Sequence, residues 1–416
     1  MEDEFDILVG IDWAKEDHQV CVLDRRRKVL DERAVKHSGS ALTDLANRLA
    51  KHGEPGRTAV AIETPRGAVV EMLLERGFVV FHLNPKQLDR FRDRHTVAGA
   101  KDDRRDAFVL ADSLRTDVHL FRRVRPDADN IVVLRELVRT DDDINKTMNG
   151  LTNRVREQLL RYFPQMLQVS PTADEPWFWK LLVMVPTPEA ANKTPRGRVA
   201  TLLKEHRIRR ISADEILEIL QQPPLRVSKG ATIAASTHIA MLVPQLLLLH
   251  SQQRQVESSA KQLLEEMSEA PAPEGQQVEH RDVTILRSLP GVGWKVSATV
   301  LVEAAQALAD RDYPALRALA GVAPVTLQTG KNKRGRAEMR RAANNRLRNA
   351  HYHWARVSAQ TDPATRAYYA ELRSRGHSHG RALRSVADRN LRILIAMLQS
   401  RTLYDVTKGR RAEVGP

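Results

Sequence analysis

A single cysteine, Cys21, among 416 residues excludes an intrachain disulfide and suits a reducing compartment. Hydrophobic runs of bilayer length are also missing. The longest, around Met241–Leu249, is too short and too interrupted to be expected to span a membrane, and the acidic start MEDEF does not read as a signal peptide. A cytoplasmic chain with no membrane partner is therefore expected. Acidic residues are nearly absent between Lys331 and Arg348, where Lys331, Lys333, Arg334, Arg336, Arg340, Arg341, Arg346 and Arg348 are offset only by Glu338. Over the whole chain, 66 Lys and Arg stand against 52 Asp and Glu, a net charge of +14 that points to a polyanionic partner. Each phosphate that such cations neutralise would add to the salt dependence of binding. The length allows two or three domains with substantial cores.

Acids are present where chemistry could use them. Asp12 closes ILVGID, Glu63 closes TAVAIE, and Asp103 and Asp106 lie in AKDDRRDAFVLADSLR. Asp103 and Asp106 are three residues apart and so share a helix face. Like charges held together are costly unless a cation sits among them, and a hard divalent metal fits carboxylate oxygens. A pair of such ions can activate a nucleophile and stabilise the leaving oxygen of a phosphodiester, so the quartet reads as a phosphoryl-transfer site. A blander reading makes Asp12 and Glu63 strand-end acids and KDDRRD a solvated helix start.

The elements around the acids read as strands at 7–12, 18–24 and 29–35, a helix at 40–52, a strand at 57–63, a helix at 67–76, a strand at 78–83 and a helix from near Asp103. This β-β-β-α-β-α-β-α series predicts an RNase H-like or RuvC-like α/β domain over 1–125. Its first and fourth strands would be neighbours, with Asp12 and Glu63 side by side. An all-α remainder is predicted to follow. Segments 131–162 and 227–268, the latter broken at Pro244, carry helical apolar stripes that read as coiled-coil arms or as an intramolecular bundle within a middle region, 126–270. Chemistry is not legible in 164–224. After the linker at Pro271–Gly275, a mainly helical C-terminal domain, 280–406, opens with LRSLPGVGWKVSATVLVEA. There Gly291 and Gly293 could let backbone N–H groups approach a DNA phosphate in a helix-hairpin-helix-like turn; a plain Pro-Gly turn between packed helices would read much the same. Hydroxyls at Thr326 and Thr329 precede the basic cluster.

The motifs IDWAK, AIE and K-x-D-x-x-D-A at one end, with LPGVG, AGVAPV followed by a hydroxyl residue and Gly-Lys, and N-x-R-L-R-N-A-x-Y at the other, resemble the insertion-sequence-110 family of transposases, relatives of the Piv-type invertases. The match covers most of the chain in order and is weakest over 164–280. It implies a RuvC-like domain in which Asp12, Glu63, Asp103 and Asp106 bind Mg²⁺ or Mn²⁺. It further implies a coiled-coil region and a C-terminal transposase domain whose catalytic serine maps onto Thr329. By resemblance, the partners are double-stranded DNA at the element ends and target, and a structured noncoding guide, the bridge RNA. The protein would be a homodimer assembling to a tetramer at the nucleoid. The implied activity is metal-dependent strand cleavage and rejoining through a covalent protein–DNA link. The departure is Thr for Ser, whose added methyl restricts rotamers and crowds in-line attack. A RuvC-like junction nuclease using water, or a domesticated nucleic-acid-binding protein, are the alternatives.

Overall fold

The computed structural model describes residues 5–83, 88–92, 102–269, 281–327, 336–340 and 342–405. The chain divides into two compact units, 1–127 and 128–416.

The first unit is a six-stranded mixed sheet between helices. Strands β1 (Ile7–Asp12), β2 (Asp17–Asp24) and β3 (Val29–Lys36) form an antiparallel meander, while β4 (Thr58–Ile62) and β5 (Val79–His82) run parallel to β1, giving the order β3-β2-β1-β4-β5-β6. The edge strand β6 (Arg122–Arg123) was not expected, because two arginines carry no strand signal in sequence; it pairs antiparallel with β5. The first and fourth strands are neighbours as expected, with Ile11 beside Ile62.

Strand alternation sorts the core into two layers. Ile7, Val9, Ile11, Val60 and Ile62 face α1 (Gly39–His52) and α2 (Ala68–Glu75) through Leu45, Leu49, Val70 and Leu73. Leu8, Cys21, Ala59 and Ala61 face α3 (Asp103–Asp117) through Ala107, Leu110, Ala111 and Leu114. The second face is built from small residues, so α3 lies close on the sheet. Burial pushes the Cys21 thiol up to about 12, which keeps it protonated and unreactive.

The second unit is mainly helical. The two longest helices, α4 (Asp129–Tyr162) and α8 (Lys229–Glu269), pack on each other within the chain. They run antiparallel, because Leu151, Val155 and Leu159 share a core with Ala235, Ile239 and Leu242, whereas Leu134 and Val138 share another with Ala260 and Leu264. Contrary to the expected break, α8 passes through Pro244. Leu242, Val243 and Leu246 around it are buried, and their packing offsets the roughly 3 kcal/mol that an interior proline costs a helix. The uninterrupted α8 is, among the described residues, the one helix long and apolar enough by length and composition to cross a membrane. Its buried side chains belong to these two cores.

Between the long helices, the segment that showed no chemistry supplies the first core. Trp177, Phe178 and Trp179 on α5 (Pro176–Met184) are buried, and the Trp179 indole donates to Ala173 O at 2.7 Å. Helices α6 (Arg196–Glu205) and α7 (Ala213–Leu220) close that core, α7 entered through a Ser212/Glu215 capping box. The C-terminal part contains α9 (Asp282–Arg287), α10 (Trp294–Glu303), α11 (Tyr313–Leu319), the short antiparallel pair β7 (Pro324–Leu327) and β8 (Arg336–Met339), and α12 (Asn345–Thr361), α13 (Pro363–Ser374) and α14 (His379–Ser400).

Candidate metal centre and nucleic-acid interface

The candidate centre begins with a glycine. On β1, period-two alternation turns Leu8, Gly10 and Asp12 toward α3. A Cβ on Gly10 would lie 1.9 Å from Ala107 O and 2.6 Å from Ala111 N, so α3 rests directly on the strand backbone. That contact carries Asp103 and Asp106, one helical turn apart, to the end of β1 where Asp12 emerges. A carboxylate oxygen from each of Asp12, Asp103 and Asp106 lies within 4.8 Å of the other two. The adjacent Asp102 has a different task. It is the N-cap of α3, its side chain accepting from Arg104 N at 3.2 Å.

Glu63 follows β4 and lies outside this group of three, but its charge is close enough to act on Asp12. Burial, followed by the charges of Asp106, Asp103 and Glu63, pushes the Asp12 carboxyl up to about 6, with Arg92 opposing the rise. Arg92, which sequence reasoning passed over, donates from Nε and a terminal nitrogen to the two oxygens of buried Asp106, each at 2.5 Å. Its only signal in the sequence was its place in the basic stretch RFRDRH, where nothing ties it to one acid.

Three hard oxygen donors, held together despite mutual repulsion, match the chemistry of a Mg²⁺- or Mn²⁺-type cation and not that of a soft metal. With metal–oxygen distances of about 2.1 Å, a modest contraction of the cluster would seat one ion. A cation seated here would displace a proton from Asp12. Affinity for Mn²⁺ should therefore rise by about tenfold per pH unit up to roughly pH 6 and level off above it, a profile that calorimetric titration between pH 5 and 8 would read. A flat profile over that range would show that Asp12 is already ionised at pH 5 in the metal-free protein, against the raised value.

The second unit holds the remaining expected residues. Thr329, Lys331, Lys333, Arg334 and Arg341 lie outside the described residues, as does the side chain of Arg336. In the turn between α9 and α10, Gly291 has φ +79°, and a Cβ there would meet Ser358 N at 2.7 Å. Its glycine thus serves packing against α12, where the Trp354 indole also donates to Pro290 O at 2.9 Å. Gly293, the N-cap residue just before α10, has open space where a Cβ would lie. Arg346 is held by Asp142 at 2.9 Å, and Asp142 also receives Lys295 at 2.9 Å. These groups, with Lys146, Asn345, Asn349 and His353, line a cavity of ≈ 660 Å³ between α4, α10 and α12. Arg340 donates to Ala342 O at 3.1 Å, and Arg348 reaches Arg340 O at 3.5 Å beside Gly321.

Clustered carboxylates on an α/β unit, in one chain with a cation-rich helical unit, are the make-up of a protein that processes nucleic acid. Residues 9–164 match a family described as transposase, of the DEDD insertion-sequence-110 type, and residues 283–370 match the transposase family of IS116, IS110 and IS902. The chain is 33% identical over 417 residues to a Streptomyces coelicolor mini-circle protein named as a transposase for IS117, covering 97% of this chain and 96% of that one. It is 46% identical over 216 residues to the Sinorhizobium fredii protein y4uE, also named as a transposase, covering 51% of this chain and 60% of that one. The 43.6 kDa protein of insertion element IS110 from Streptomyces coelicolor is 27% identical over 405 residues, 96% of this chain and 95% of that one. The chain belongs to the insertion-sequence-110 family of transposases, enzymes that cut and rejoin DNA.

Proposed function

We propose that the chain catalyses metal-dependent cleavage and rejoining of DNA strands, with Asp12, Asp103 and Asp106 as ligands to Mg²⁺ and Glu63 completing the set from the neighbouring strand. The observation that carries this is the convergence of three carboxylates within 4.8 Å at the end of β1. In this reading the first unit is a RuvC-like catalytic domain, and the second comprises a coiled-coil-bearing middle, 126–270, and a transposase domain, 280–406. When bound, the cation stabilises charge developing on the phosphodiester oxygens. Asp12, Asp103, Asp106 and Glu63 would hold it. Thr329 supplies the attacking hydroxyl: it gives up its proton, its oxygen forms a bond to phosphorus as the bond to the departing DNA oxygen breaks, and that departing oxygen takes up a proton. The phosphodiester energy is thereby kept for rejoining.

Phosphate contacts come from Gly293 at the start of α10, with Gly291 shaping that turn, and from the cations between Lys331 and Arg348. Arg346 makes its contact by trading Asp142 for phosphate. Such contacts fix register without reading bases. Sequence choice is delegated to a bridge RNA, and a dimer assembling to a tetramer at the nucleoid is the working unit. These last features come from the family resemblance.

A denaturing gel with purified protein, Mg²⁺, labelled junction DNA and RNA from the flanks of the gene tests the chemistry. A protein–DNA adduct is expected, lost in Thr329→Ala and retained or increased in Thr329→Ser. The threonine at this position favours one second reading, a junction nuclease that uses water, for which cleavage without an adduct would be the result.

A further inference from the structure

The acid cluster contains its own counter-ion. Asp106 is buried, its side chain only 2% exposed, and an ionised carboxylate in that setting requires a partner. Arg92 meets the need by spending Nε and one terminal nitrogen on the two Asp106 oxygens, while its other terminal nitrogen donates to the exposed Asp89 at 2.7 Å. The guanidinium is brought there by a short helical segment, 88–92, anchored through buried Leu88 and Phe91, with Phe91 edge-on to Phe121 at 5.6 Å between centroids. The carboxylate that Arg92 saturates is also one of the three that converge. A cation at the cluster needs an Asp106 oxygen, and a divalent ion and a guanidinium sharing one carboxylate repel each other.

We propose that Arg92 is the exchangeable cation of this centre. It neutralises and positions Asp106 in the metal-free protein, and a divalent ion entering among Asp12, Asp103 and Asp106 displaces it. Asp89, already bonded to the same guanidinium and open to solvent, retains the arginine beside the site. The exchange has two consequences. The centre keeps its shape without metal, and part of the intrinsic metal affinity is consumed in releasing Arg92. This rests on the metal-centre reading given above.

The test is calorimetric titration of the metal-free full chain with MnCl₂ in the absence of nucleic acid, alongside thermal denaturation, for wild type, Arg92→Gln, Arg92→Lys and Asp12→Asn. Arg92→Gln should bind Mn²⁺ on the order of tenfold more tightly, the scale of an ordinary coupling between two sites, and should unfold at a lower temperature without metal. Added Mn²⁺ should restore the lost stability. Arg92→Lys should fall between, because an ammonium cannot form the bidentate fork, and it carries the test if the glutamine variant does not fold. Equal or weaker Mn²⁺ binding by both variants would overturn the exchange, since it would mean that the Arg92–Asp106 pair persists in the loaded centre. Unchanged binding in Asp12→Asn would instead overturn the metal centre itself, which keeps the two failures apart.

Discussion

Asp12→Asn should reduce DNA cleavage by at least about a thousand-fold and, at the same time, raise the thermal stability of the metal-free protein. The first effect follows from removing a proposed metal ligand at the point where three carboxylates converge. A thousand-fold is about 4 kcal/mol of transition-state stabilisation, within what a metal-centred phosphoryl transfer places on its cation. The second follows from the cost of ionising Asp12. Its folded carboxyl is raised from 3.8 to about 6, so the fold favours the protonated form. Below the unfolded value both states are protonated and there is no penalty. As pH rises through about 6 the folded protein must carry the charge, and that stability is lost. The asparagine variant has no charge to carry. Its melting temperature should exceed that of wild type above pH 6 without metal and converge with it near pH 4. Saturating Mg²⁺ should reverse the order, because only wild type keeps the full set of proposed carboxylate ligands. Paired melting curves with and without Mg²⁺, beside a cleavage assay, would check both halves. A variant that still cleaves would place the chemistry elsewhere, whereas one less stable than wild type at neutral pH would show that Asp12 is stabilised by contacts other than those around the cluster.

Much of the first unit was legible because its signals are local. Runs of Val, Ile and Leu ending in Asp12 and Glu63 gave the strands within one residue at most ends, and the three-residue spacing of Asp103 and Asp106 gave their common face. Which of Asp102 and Asp103 joins the cluster was not legible from spacing, since either suits a helix start; the fold divides them into a cap and a cluster member. Arg92 escaped notice for another reason. Its pairing with Asp106 spans fourteen residues and depends on where the sheet places the two segments, and no periodicity encodes that. In the second unit, local rules misled at Pro244, where tertiary packing outweighs the helix-breaking tendency of proline. The aromatic cluster at 177–179 gave no functional signal because its role is core packing. The basic run was plain in the sequence, but its partners were not. Arg346 is paired with Asp142, from which it is separated by more than two hundred residues.

Gly10→Ala should damage the first unit more than any surface charge change, although it adds a single methyl. The added carbon would sit 1.9 Å from the carbonyl oxygen of Ala107 and 2.6 Å from the amide nitrogen of Ala111, both on the backbone of α3, where no side-chain rotamer can relieve the clash. The helix must move off the strand. Overpacking of this kind costs roughly 3 kcal/mol or more when backbone has to shift, a fall of about 10 °C in melting temperature for a unit of this size. The displacement also bears on chemistry. Asp106 immediately precedes Ala107, so a helix lifted at Ala107 withdraws Asp106 and, one turn earlier, Asp103 from Asp12. Mn²⁺ binding should weaken along with stability even at temperatures where the variant remains folded. Gly39→Ala is the matched control, since an added Cβ there meets nothing within 4 Å and the position begins α1, where alanine is the better helix former. If Gly10→Ala melted and bound Mn²⁺ like the control, the close seat of α3 on β1 would not be what assembles the acids. The expected divergence would make a strand glycine, with no chemistry of its own, the residue on which the metal centre depends.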